Sequence, residues 1–145
     1  MDIKYNSVLT VNSVIDNLTD AGLPDGDPEI NIFTVEGIFN HYGEKNELLY
    51  VETNENDRTV CTLYTFLDKV LLSRKGAVDC DLTFKENEKC ETLYKVPPYS
   101  FDMTVTTLKI RNSLGESGGE LQLIYKMNIG GQDKKVRMKI TVKKN

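Results

Sequence analysis

The 145-residue chain is long enough to bury a core without disulfides or metal, because folding at this size hides about 68–70% of the surface that the unfolded chain exposes. Its 39% hydrophobic and 28% charged residues exclude disorder and collagen-like repetition. The net charge of −4 argues against general affinity for nucleic acid, so any basic patch has to be local.

Read in chain order, the sequence divides into period-two runs separated by turn chemistry, and no window shows a convincing helical period. The first run, 3–15, sets Ile3, Tyr5, Leu9 and Val11 on one face. A loop over 21–28, dense in Gly, Pro and Asp, follows. Runs 29–40 and 47–53 are divided by a turn at 41–46, and Asn54-Glu-Asn-Asp57 closes the next hairpin. Runs 59–66, 69–74 and 77–84 come next, the last alternating Val78, Cys80, Leu82 and Phe84 with polar residues.

Run 88–96 ends at Pro97-Pro98, which removes two backbone donors and predicts a corner. Runs 101–111, 120–129 and 135–142 complete the chain, the last two alternating cleanly through Tyr125 and Met138. Residues 1–145 therefore read as one all-β domain, an antiparallel up-and-down barrel of about eight to ten strands, since a meander that long closes or leaves exposed edges.

The opening run MDIKYNSVLT lacks an apolar signal-peptide segment, and no stretch approaches the roughly 20 apolar residues of a spanning helix. A cytoplasmic location and no membrane partner are the expectation. Cys61, Cys80 and Cys90 fit neither a disulfide framework nor a zinc ribbon. They read as core filling, with Cys80 and Cys90 placed to face each other across a hairpin.

The ordered series Arg74-Lys-Gly76, Phe84, Leu93-Tyr-Lys-Val-Pro-Pro-Tyr99, Thr106-Thr107 and Gly119-Glu-Leu-Gln-Leu-Ile-Tyr125 resembles the YwiB-like family of bacterial domains of unknown function. The resemblance runs over most of the chain, with Gly37 in a fitting place. It implies a calycin-like (lipocalin-like) barrel from a bacterial cytoplasm, and no activity. The chain departs from the family's Thr-Pro-Tyr-Gly type of turn, with Pro-Pro-Tyr-Ser at 97–100.

Arg74 is the leading candidate site residue, because it shares a strand face with Val70 and Leu72 and an inward guanidinium needs an anionic partner. The plainer alternative is a strand-end arginine that reaches water or pairs with an Asp. Tyr50, Tyr64, Tyr94, Tyr99 and Tyr125 are candidates to line a ligand cavity, or else core packing. Lys135, Arg137, Lys139 and Lys143 form a basic stripe, read as a solvated face or a contact for an acidic partner. His41 is the only histidine and reads as a solvated turn residue; Asp25-Gly-Asp27 lacks the spaced ligands of a calcium loop.

No catalytic residues, metal or cofactor are expected. The function that follows is binding of a small apolar or anionic ligand in the barrel. The alternative is an interaction module, a homodimer or partner-binding domain without a cavity, using an apolar outer face such as Leu63, Leu67, Leu108 and Ile110.

Overall fold

Alternation of apolar and polar residues carries through to the structure, a computed structural model that describes residues 4–145. Among these residues there is no helix, and ten strands form: β1 (Ser7–Asn17), β2 (Glu29–Tyr42), β3 (Lys45–Asn54), β4 (Asp57–Thr65), β5 (Val70–Gly76), β6 (Cys80–Phe84), β7 (Lys89–Val96), β8 (Tyr99–Asn112), β9 (Gly118–Ile129) and β10 (Gln132–Lys144). They make one antiparallel sheet in the order β6-β5-β4-β3-β2-β1-β10-β9-β8-β7. Every neighbour is a chain neighbour except β1 and β10, which pair along their whole length from Ser7↔Lys144 to Asn17↔Lys134.

The sheet curls until its outer strands meet. β6 and β7 touch through the single bridge Asp79↔Lys95, with two backbone hydrogen bonds of 2.9 Å, and form no ladder elsewhere. The result is a nearly closed barrel, filled by Leu9, Phe39, Leu48, Leu63, Phe84, Leu121, Leu123 and Ile140 among others.

Two local irregularities shape it. At Gly37, β2 passes from pairing with β1 to pairing with β3: residues 29–37 ladder with β1, and only 38–42 with β3. A Cβ at Gly37 would stand 2.4 Å from Leu9 Cδ1 and 2.8 Å from the Leu49 carbonyl oxygen, so the close approach at this bend requires glycine. In β8, a bulge between Thr107 and Lys109 reverses which residues face inward. Before it Met103, Val105 and Thr107 are buried; beyond it Ile110 turns in, opposite Leu123, and Lys109 and Arg111 turn out.

Several expectations are corrected here. Pro97-Pro98 does end a strand, as its missing donors predict, but it is the tip of a two-residue hairpin between Val96 and Tyr99 and not a corner; the bend lies at Gly37. Leu63, Leu67, Leu108 and Ile110 do not form one outer face: Leu63 is fully buried, Ile110 packs against the core because of the bulge, and Leu67 and Leu108 are separate exposed side chains. Cys80 and Cys90 are free thiols on strands that do not ladder at that level, with Cys90 paired across to Val105. Ile3 lies outside the described residues, and Tyr5 precedes β1 and is exposed. No helix among the described residues is long and apolar enough to cross a membrane.

Candidate functional site at the open end of the barrel

In an up-and-down barrel all odd-numbered strands point to the same end. Along four of them burial of the inward residues falls toward the C-terminus: from Leu9 and Val11 to Ile15 in β1, Leu48 and Tyr50 to Glu52 in β3, Val70 and Leu72 to Arg74 in β5, and Leu121, Leu123 and Tyr125 to Met127 and Ile129 in β9. That end is therefore the open one.

The opposite end is sealed by side-chain hydrogen bonds. Asn6 accepts from the Phe39 N–H and donates to the Phe39 carbonyl, while Asn46 donates to Thr65 Oγ1 and lies 2.7 Å from His41 Nδ1. His41 is thus a half-buried partner of this seal, and not the solvated turn residue expected.

At the open end an ordered row crosses four strands: Tyr50 opposes Cys61, Cys61 opposes Arg74, and Arg74 opposes Cys80. Arg74 points inward, as its strand partners predict, and its Nη2 donates to Glu52 Oε2 at 2.5 Å. The two side chains remain 24% and 28% exposed, so the pair sits in a mouth that water reaches. A guanidinium offers five N–H donors; the bond to Glu52 uses one, and the Cys61 sulfur is a second side-chain acceptor beside it.

Burial opposes the charge of Arg74, but the Glu52 carboxylate beside it, with Cys61 and Tyr94 contributing, holds its pKa above the usual arginine value. The same setting shifts its neighbours. Burial, with Glu52 adding to it, pushes the Cys61 thiol up to about 11 against the pull of Arg74. Burial pushes Cys80 up to about 11 and Tyr125 up to about 12, and raises Tyr50 well above the ordinary phenol value.

These thiols are protonated and inert at neutral pH. A thiol-reactive dye added to the native protein is expected to leave Cys61 and Cys80 unmodified, and to reach both after unfolding in urea. Because each folded-state pKa lies above the unfolded value of 9.0, the neutral thiols favour the folded state below about pH 9. That contribution is lost as pH rises toward 11, on the order of 2 kcal/mol per thiol. Urea midpoints measured between those pH values should fall accordingly, and less so in a Cys61→Ala variant.

Of the candidate residues, the structure brings Arg74, Tyr50, Tyr94 and Tyr125 together inside the open end. It does not bring Tyr64 or Tyr99 there. Tyr64 lies on the outward face of β4, where the Lys45 ammonium sits 4.8 Å from its ring centroid, and Tyr99 is 66% exposed at the β7–β8 turn. Sequence reasoning missed Glu52, although it shares face parity with Leu48 and Tyr50 and so had to point inward. It also missed the half-buried apolar rim of Ile15, Phe33, Met127 and Ile129, whose signal was a periodic apolar run continuing to the strand end. Phe33 reaches Tyr50, with ring centroids 6.3 Å apart.

No curated protein matches the chain. The solved structure of the YwiB protein from Bacillus subtilis is similar, with a TM-score of 0.82 and 24% sequence identity over 97% of this chain and 92% of that one. At that identity the likeness carries the fold alone. The model of the family described as "Domain of unknown function (DUF1934)" matches residues 22–141, and the chain belongs to that family.

Proposed function

We propose that the open end binds a small amphiphilic anion, with its charged group on Arg74 and its apolar part across Phe33, Ile15, Met127 and Ile129. The observation that supports this reading is a water-accessible guanidinium inside an apolar rim, with one donor taken by Glu52, the Cys61 thiol beside it, and further donors left for an anion. Calycin-like barrels hold one ligand in their interior. Here the deeper half is filled by Leu48, Leu63, Phe84 and Leu123, so the ligand would sit at the mouth. A cytoplasmic location is consistent with three free cysteines.

Anilinonaphthalene sulfonate combines an apolar body with an anionic group and brightens in apolar surroundings. Titration of the native protein is expected to show saturable fluorescence that Arg74→Gln weakens by about tenfold or more, in line with one charge-assisted hydrogen bond. Absence of saturable binding, or equal binding by the variant, would refute the reading. Native mass spectra of protein purified from a bacterial host would then identify any natural occupant as an adduct lost on denaturation.

A second reading has one observation in its favour. Residues 29–36 of β2 ladder only with β1, which leaves a free strand edge carrying Ile30 and Ile32 at 60% and 63% exposure. Such an edge can add a strand from a second copy or another protein. A stable dimer in sedimentation, lost on replacing both isoleucines with lysine, would favour it.

A further inference from the structure

Although the whole chain is acidic, its charge is divided: residues 99–145 hold nine Lys and Arg against four Asp and Glu. That segment is β8, β9 and β10, which lie side by side in the sheet. Sequence proximity therefore becomes a surface.

The register arranges the cations in rows. Lys135 opposes Lys126; in the next row Arg137 and Lys109 flank Ile124; in the third Lys139 and Arg111 flank Gln122. All are outward, and the bulge after Thr107 is what turns Lys109 and Arg111 to this side. Without it both would point into the barrel. Lys109, Arg111, Gln122 and Ile124 line a shallow pocket of about 200 Å³. Asp16, largely buried, lies 3.8 Å from Arg137, and Glu120 lies 3.5 Å from Lys139 in a surface contact that salt screens, so these two cations are partly neutralised. Among the described residues Lys109, Arg111, Lys126 and Lys135 have no carboxylate partner.

Two cationic tracks, β8 and β10, thus run about 10 Å apart on either side of a floor made by β9, and same-face residues repeat every 6.5–7 Å or so along each. Successive phosphates of a nucleic-acid strand lie about 6–7 Å apart along the backbone; a single strand can lay them in a straight line along such a track, whereas in a duplex they follow a helical path with an axial rise of only about 3.4 Å per residue. The outward residues of β8, β9 and β10 from Thr104 to Lys139 include no aromatic side chain, so nothing there would stack bases. We infer that the outer face of β8, β9 and β10 binds the phosphate backbone of single-stranded nucleic acid without regard to sequence, engaging about three successive phosphates. The site is independent of the barrel mouth.

The test is fluorescence anisotropy of a labelled short oligouridine titrated with the full chain. Between about 50 and 200 mM salt the affinity is expected to fall by roughly tenfold or more, the slope for three phosphates released from a single strand being about −2. The double variant Lys109→Glu/Arg111→Glu should lose at least tenfold in affinity at the lower salt, whereas Arg58→Glu, exposed at the start of β4, should bind like the parent. Circular dichroism melts should be unchanged, since all three side chains are exposed. No binding by the parent protein, or unaltered binding by the double variant, would overturn the inference. So would a protein that takes inorganic polyphosphate but no oligouridine, or a salt-labile dimer abolished by the same pair of changes, which would assign the face to a second copy.

Discussion

Replacing Phe84 with alanine is expected to lower the unfolding free energy by about 4 kcal/mol, measured as a fall in the urea midpoint at unchanged slope. Phe84 is fully buried on β6, and its ring packs at a tilt against Tyr125, centroids 4.9 Å apart. The loss combines the transfer energy of the ring with the cavity left among side chains of the packed core. Against a typical stability of about 5–15 kcal/mol this is a large fraction of the whole. Leu67→Ala, at a site 83% exposed, should change stability by less than about 0.5 kcal/mol and serves as the control. A small effect of Phe84→Ala would mean that β6 contributes little to the cooperative unit.

Gly37→Val should be nearly as damaging, by about 3 kcal/mol, for the opposite reason. No space exists for even one carbon, because the Leu49 carbonyl belongs to backbone that cannot yield without breaking the β2–β3 ladder. Leu9 Cδ1 could rotate away, so Gly37→Ala should cost less than Gly37→Val. Gly115→Ala, where an added Cβ meets nothing within 4 Å, should be neutral or slightly stabilising. If Gly37→Val were neutral, the bend would have to be formed differently from the one described.

Most of the strand plan was legible because period-two alternation is a direct image of a sheet with one wet face. Runs 120–129 and 135–142 correspond to β9 and β10 within three residues at each end. What alternation cannot show is where it slips. The single extra residue at Leu108 inverted the faces of Lys109, Ile110 and Arg111, and a reader counting by twos assigns Ile110 to the wrong side. Tyr64 was misplaced for another reason: its face of the run also carries Val60 and Phe66, and looks as apolar as the opposite face with Cys61 and Leu63 between Thr59 and Thr65. The structure shows Leu63 inside and Tyr64 outside under Lys45.

Arg74 was legible because Val70 and Leu72 fixed its direction. Its partner was not, since Glu52 lies 22 positions away on a strand two removed in the sheet, and only three-dimensional register brings the carboxylate across. The basic face was half visible as the Lys135, Arg137, Lys139 stripe. Its second track needed the bulge.

The pairing of β1 with β10 has a consequence for how the protein is made. Ser7 belongs opposite Lys144, so β1 stays without its partner on that side until β10 has left the ribosome. Hairpins β3–β4 and β7–β8 can form from local contacts as they emerge. Closure has to wait for the most distant pair in the sequence. Such contacts slow folding, and the interval exposes the apolar residues of β1 to other chains. The vulnerable moment in the life of this barrel is therefore the interval before β10 emerges, with Leu9 and Val11 uncovered at a waiting edge.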